Sequence, residues 1–435
     1  MSALACFMSD KGHIVAGSDR AFDHDPSHPV ADLLRSKRIS LVPQDGNGID
    51  ASFDLAVFST AVEPQRPEFV RAREMGVPAK RRPEFLADIV GEFETISVAG
   101  TSGKSTTSGM LAFLMERLGL APNFIGGGRV KQFHDGRNPG NSLSGRSRYL
   151  VIEACESDGS IVNYRPLHSV ILNLDFDHHP VDTTAGMFQR LIQNTAGRVV
   201  LNGDDDNLKK LAVGGAVTFS TDSPSDFRAE DVVFGPFRTD FSVGGTAFRL
   251  SLPGRHNLSN ALSCIATLNM MDIPLAGIAS VLREFAGIER RFDIVLDDGK
   301  HLVIDDYAHN PHKISALMET VSAIRERVCY VFQPHGFGPT RMMRREYIDT
   351  FAKHMRDRDH LILLPIFYAG GTATKDISSR DLAEGIKDAG RSVEVAETRN
   401  DILACAGQWN TCVVLGARDE TLSGFARQMA GKLRE

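Results

Sequence analysis

Short apolar runs recur along the chain, most of them closing on polar or glycine residues and alternating with stretches of helical spacing. The runs are FDLAVFS (53–59), TISVA (95–99), YLVIE (149–153), SVILN (169–173) and RVVLN (198–202), then LVID (302–305), VCYVF (328–332), HLILL (360–364) and CVVLG (412–416). They are too short for buried helices, rich in β-branched residues and apolar on both faces, as strands covered from both sides must be. Helical spacing is clearest over 84–90, 108–118 and 261–271. Strands alternating with helices predict an α/β protein with mainly parallel sheets. In such sheets ligands gather at the carboxyl ends of the strands, where these runs turn polar.

Two joints interrupt the pattern, one at 91–94 and one in the charged segment ERRFDIVLDDGK (289–300). They predict three domains, at residues 1–92, 93–291 and 292–435. A chain of 435 residues has room for three cores.

The composition narrows the function classes. The formal net charge is -6, so a general nucleic-acid or anionic-membrane binder is not expected, and any bound anion needs a local site. The six cysteines (Cys6, Cys155, Cys264, Cys329, Cys405, Cys412) form no C-x-x-C pair and no zinc spacing. No apolar run reaches the ~18 residues of a membrane span, and no secretory signal opens the chain. Together these predict a cytoplasmic protein with reduced thiols and no membrane insertion.

The strongest chemical signal is SVAGTSGKSTT (97–107), a strand running into a glycine loop and then a helix. Glycines at 100 and 103 allow backbone N–H groups to curl around phosphate oxygens, and the following helix adds its positive end. Lys104 can reach the β- and γ-phosphates, and the Ser105 hydroxyl can ligate Mg²⁺. The usual first glycine of a longer phosphate loop is Val98 here. Such a loop predicts a nucleotide phosphate and does not by itself separate an ATPase, a kinase and a ligase.

Other clusters are weaker singly. The runs at 149–153 and 169–173 end in Glu153-Ala-Cys-Glu156 and Asn173-Leu-Asp-Phe-Asp-His178, either a divalent-metal site or solvated acidic strand ends. GRHNLSN (254–260) opens an apolar helix, with His256, Asn257 and Asn260 as ligand contacts or simple caps. ERRF (289–292) puts two arginines at the second joint, for a phosphate or a surface ion pair. VIDDYAHNP (303–311) and YVFQPH (330–335) add an acid, a tyrosine and histidines at two further strand ends.

Taken in order, GTSGKST, GRHNLSN, IERRFD, DDYAHNP and FQPH resemble the Mur ligase family, the ATP-dependent amide-forming enzymes of peptidoglycan precursor synthesis. The stretches GHIVAGSD (12–19), FSTAV (58–62), RRPEFLA (81–87), EACESDGS (153–160) and NLDFDH (173–178) are similar to the branch that acts on UDP-N-acetylmuramate. That resemblance implies a Rossmann-like first domain for the UDP-sugar, a central phosphate-loop domain for ATP and Mg²⁺, and a Rossmann-like third domain for the amine. The amine is L-alanine or, alternatively, a recycled tripeptide; a non-catalytic nucleotide-binding relative is the third reading. A nicotinamide enzyme is disfavoured, because no G-x-G-x-x-G stands in the first segment.

The resemblance also implies roles. Gly100, Thr101, Ser102, Gly103, Lys104, Ser105 and Thr106 would hold the ATP phosphates, with Ser105, Glu153 and His178 on magnesium. Asn257, supported by His256 and Asn260, would meet adenine, Arg291 the phosphates and Asp306 the ribose. Ser18, Asp19, Ser59 and Thr60 would hold the uridine end. Tyr307, His309, His335 and Arg341 would line the amine site. His178, His309 and His335 are all candidates for the base that takes the amine proton.

Three departures from the family pattern stand out. Met1-Ser-Ala-Leu-Ala matches the end of the glycine loop that usually opens these chains, so a first strand is expected upstream of Met1. Cys155 replaces an aspartate, and Gly336 and Pro339 stand where the family's alanine ligases usually carry arginines.

Overall fold

A computed structural model describes residues 1–25, 28–176, 179–211, 213–368 and 373–434. The chain divides into two compact units, Met1–Ala286 and Gly287–Glu435.

The first unit is organised by an eight-stranded sheet. Its centre is Glu94–Ala99, paired in parallel with Tyr149–Glu153 on one side and His168–Ile171 on the other. Beyond the latter come Val199–Asn202, Val217–Ser220 and Phe227–Arg228, all parallel. On the other side Asn123–Ile125 is parallel, and only the edge strand Ser142–Leu143 runs antiparallel. The central strand is buried along nearly its whole length, which explains its uninterrupted apolar run. Helices Lys104–Arg117 and Arg255–Met270 pack against each other, and the former is buried over twelve of its fourteen residues.

The amino-terminal segment of this unit is less regular than expected. It opens with helix Ser2–Asp10, and its short strands form two separate parallel pairs, Ala16–Gly17 with Ser40–Leu41 and Ala56–Phe58 with Ala79–Arg81. Leu4 and Phe7 of the first helix join Leu86, Ile89 and Val90 of helix Arg82–Glu92 in the core beneath the central sheet.

A three-stranded antiparallel meander (Glu230–Phe234, Thr239–Val243, Thr246–Leu250) was not anticipated by the apolar-run pattern. Its signal was alternation: Thr239, Phe241 and Val243 are buried, with Asp240 and Ser242 between them. Gly244 and Gly245 make its two-residue turn with φ of +54° and +75°, which L-residues rarely adopt.

The second unit carries a six-stranded sheet in the order Asp293–Asp297, Leu302–Asp306, Thr411–Gly416, Cys329–Gln333, His360–Leu363, Val393–Val395. Only the first pair is antiparallel. Val303, Val331, Ile362 and Val414 form its core with Phe425 and Met429 of helix Leu422–Arg434.

Candidate active site

The central strand of the first unit delivers the phosphate loop at its carboxyl end. Gly103 precedes helix Lys104–Arg117 with φ of +85°, and a Cβ there would lie 2.5 Å from the Asn260 side-chain oxygen. Glycine is therefore required twice over, by backbone conformation and by the close approach of the second helix. Asn173, at the end of the neighbouring strand, straps the loop. Its Oδ1 accepts from the Thr101 hydroxyl at 2.7 Å and the Ser102 N–H at 2.8 Å, while its Nδ2 donates to the Ser102 carbonyl at 3.0 Å.

Lys104 is buried and donates to both oxygens of Glu156, at 2.9 and 3.1 Å, and to the Gly100 carbonyl. Burial works to depress its ammonium pKa, but Glu156, with Glu153 behind it, outweighs that and holds the group above the ordinary lysine value. Lys104 therefore stays charged, as phosphate binding requires. Ser105 donates its hydroxyl to Glu153 Oε2 at 2.9 Å, and the Gly127 N–H donates to the same oxygen at 3.0 Å. A Cβ on Gly127 would sit 2.6 Å from that oxygen, so glycine keeps the carboxylate's space open.

Ser105 and Glu153 are a pair of oxygen donors beside a phosphate loop, the donor type a hard divalent cation takes. His178 lies outside the described residues. No group of three or more His, Cys, Asp or Glu side chains placed to hold a metal occurs among the described residues.

The GRHNLSN segment begins helix Arg255–Met270 as expected. Asn257 is buried and donates to the Pro253 carbonyl at 2.8 Å; Asn260 is buried against Gly103. His256 is exposed.

The uridine-end candidates make local contacts. The Ser18 hydroxyl donates to Glu68 at 3.3 Å, and Asp19 caps helix Arg20–His24 by accepting from the Ala21 N–H. Ser59 accepts from the Ala61 N–H at 3.3 Å, and Thr60 is exposed.

In the second unit, Tyr307, His309 and His335 do come together. The His309 ring stands edge-on to both, with centroids 5.5 Å from Tyr307 and 5.1 Å from His335. The Arg291 guanidinium lies over the Tyr307 ring at 4.8 Å. His309 Nδ1 lies 2.8 Å from the Tyr307 carbonyl, so this nitrogen carries the proton and Nε2 is left as an acceptor. Burial, with Lys313, His335 and Arg291 nearby, pushes the His309 pKa down to about 3. Asp306 accepts from the Phe292 N–H at 2.6 Å and the Ala308 N–H at 2.7 Å; burial raises its pKa against the pull of Arg291. Arg341 is engaged elsewhere, paired with Asp376 and donating to the Thr374 carbonyl.

The sequence shows Glu156 and Asn173 only as members of two polar strand ends, and it gives no role to the glycines at 126 and 127. Their signal was position alone, at the ends of strands beside the phosphate loop.

Similarity to known proteins accounts for most of the chain. Three family models match: the Mur ligase family catalytic domain over residues 1–94, the Mur ligase middle domain over 98–268 and the Mur ligase glutamate ligase domain over 290–418. The UDP-N-acetylmuramate–L-alanine ligase of Caldicellulosiruptor saccharolyticus is 31% identical, with 95% of each chain covered. That of Pelotomaculum thermopropionicum is also 31% identical, over 100% of this chain and 95% of its own. The crystal structure of the UDP-N-acetylmuramate–alanine ligase from Thermotoga maritima superposes with a TM-score of 0.83 at 26% identity, covering 100% of this chain and 96% of that one.

Proposed function

The chain belongs to the Mur ligase family, and we propose that it joins the carboxylate of UDP-N-acetylmuramate to the amine of L-alanine with cleavage of ATP. A carboxylate is a poor electrophile, so it must first be activated. Its oxygen attacks the γ-phosphorus, the bond to the β-phosphate oxygen breaks and ADP leaves. The amine nitrogen then attacks the acyl phosphate carbon, phosphate departs with the C–O bond electrons, and the nitrogen loses its proton.

The first step brings two anions together, so cations carry it. Lys104 is proposed to hold the phosphates, with the backbone N–H groups of residues 100–106 around them. Ser105 and Glu153 fit Mg²⁺, which when bound would neutralise phosphate charge. Asn257 and Asn260 begin a helix packed against the loop, and we assign them to the adenine side. Arg291 and Asp306 are assigned to the phosphates and the ribose of the nucleotide.

The amine side is assigned to Tyr307, His309 and His335. A His309 imidazole with a pKa of about 3 is neutral at pH 7, and its Nε2 can hold an ammonium by accepting a hydrogen bond. It is a weak general base, because a base works best with a pKa near the working pH. His335, whose ring lies 5.1 Å from that of His309, is assigned to take the proton. Ser18, Asp19, Ser59 and Thr60 are assigned to the uridine end.

The observation that carries this reading is the phosphate loop with Lys104 charged by Glu156 and Ser105 joined to Glu153, in a chain alike over its whole length to these ligases. The test is phosphate release with Mg-ATP and UDP-N-acetylmuramate, adding L-alanine, glycine, L-serine or the L-Ala-γ-D-Glu-diaminopimelate tripeptide one at a time. Release that depends on L-alanine is expected. Release only with the tripeptide would move the chain to the recycling activity, and silence with all four would refute the ligase reading.

A further inference from the structure

Arg81 and Arg82 are adjacent and meet different fates. The Arg81 guanidinium donates to the carbonyls of Ser59 and Val62 and lies over the Phe69 ring at 4.8 Å. Arg82, the first residue of helix Arg82–Glu92, is half-buried, and its guanidinium has no hydrogen bond or ion pair with any described residue. It lines a cavity of about 100 Å³ together with Gly126, Gly127, Glu153, Asp158 and Tyr164. A partly desolvated guanidinium with no direct hydrogen-bonding partner is costly, and an anionic ligand that pairs with it removes that cost.

The cavity shares a wall with the phosphate loop. Glu153 closes it on one side and holds Ser105 of the loop at 2.9 Å. The Gly126–Gly127 backbone forms another wall, and neither residue has a side chain to fill the space. An anion entering here meets two carboxylates, Glu153 and Asp158, and Arg82 is the one cation among the described lining residues. An atom that attacks a γ-phosphoryl group must lie within roughly 3–3.5 Å of it. Of the anions a nucleotide-sugar acid carries, the one that fits beside the phosphate loop is therefore the carboxylate to be phosphorylated, not the diphosphate.

We propose that Arg82 binds and orients the carboxylate of the UDP-sugar acid, offsetting its repulsion by Glu153 and Asp158. This rests on the ligase reading. The bidentate fork of arginine suits both the pairing and the orientation of a carboxylate.

The test compares the full chain with Arg82→Ala and Arg82→Lys. Binding of UDP-N-acetylmuramate is measured by calorimetry beside UDP-N-acetylglucosamine, which carries the same nucleotide and sugar but no carboxylate. Arg82→Ala is expected to weaken the acid by about 10- to 100-fold, the size of one charge-assisted hydrogen bond. The neutral sugar should change less than twofold, the KM for ATP should stay put, and Arg82→Lys should recover part of the loss. Equal weakening of both sugars would overturn the proposal in favour of a diphosphate contact, and unchanged binding of the acid would overturn it outright. Thermal melts of the two variants check folding, and a melted Arg82→Ala leaves the decision to Arg82→Lys, where selective weakening of the acid supports the proposal and none refutes it. A wild-type chain that binds the acid but releases no phosphate with any amine would sink the ligase reading and leave the Arg82 comparison standing.

Discussion

Lys104 and Glu156 are 52 residues apart in the chain and meet as a buried ion pair, with Nζ 2.9 Å from one carboxylate oxygen and side chains 10% and 2% exposed. The pair holds the phosphate-loop lysine above its ordinary pKa in a place where burial works to lower it. A bound nucleotide would present a second counter-charge to the same ammonium.

Glu156→Gln keeps the shape and removes the charge. Leaving one buried partner uncompensated costs about 3–5 kcal/mol, so urea unfolding should show a loss of that order. Mg-ATP should raise the melting temperature of the variant more than that of the wild type, because phosphate replaces the missing carboxylate. An equal rise in both would show that Lys104 does not meet the nucleotide.

Gly103→Ala should act locally. The residue sits at φ +85°, and the new methyl would come 2.5 Å from Asn260 Oδ1. A loss of about 1–2 kcal/mol is expected, with ATP affinity falling more than stability does. Fluorescent-nucleotide titration against thermal unfolding separates the two effects.

Glu153→Gln and Ser105→Ala both remove oxygen ligands proposed for Mg²⁺. Each should raise the Mg²⁺ concentration needed for half-maximal phosphate release and lower kcat by on the order of 10²-fold. UDP-N-acetylmuramate binding without ATP should persist in Ser105→Ala, whose side chain is outside the Arg82 cavity. An unchanged Mg²⁺ dependence in both would remove the assignment.

The second unit should show opposed pH effects from two buried groups. His309 has a folded pKa of about 3, below its unfolded value of about 6.5, so its contribution to stability is full above pH 6.5 and lost as pH falls towards 3. Asp305 is raised by burial to about 6, against the pull of Arg290 3.5 Å away, so its contribution is full below about pH 4 and lost as pH rises through 6. Between pH 6 and 4 the two oppose each other at about 1.4 kcal/mol per pH unit each. His309→Gln should therefore gain stability relative to wild type as the pH falls through that window. A constant difference in urea unfolding from pH 6 to 4 would show that His309 titrates normally.

Contiguous features were legible from residue order. The segment 100–106 follows its strand directly and enters its helix at Lys104, so spacing alone specifies the geometry of Gly103, Lys104 and Ser105. The same holds for the helix that begins at Arg255. The meander at 230–250 was missed because its strands alternate rather than run apolar, being open to water on one face.

What the sequence determined by itself was therefore the α/β class, the phosphate chemistry and the order of the motifs, because these depend on periodicity and on neighbours a few residues apart. Tertiary structure decided which side chains share a site. It placed Glu156 on Lys104, Asn173 under the loop, and Glu153 between Ser105 and the Arg82 cavity, and it tied Arg341 to Asp376. The physical reason is that strand order in a parallel sheet is set by which apolar faces bury together. The strand ends brought side by side by that burial are tens of residues apart in the chain, and no local pattern records their pairing.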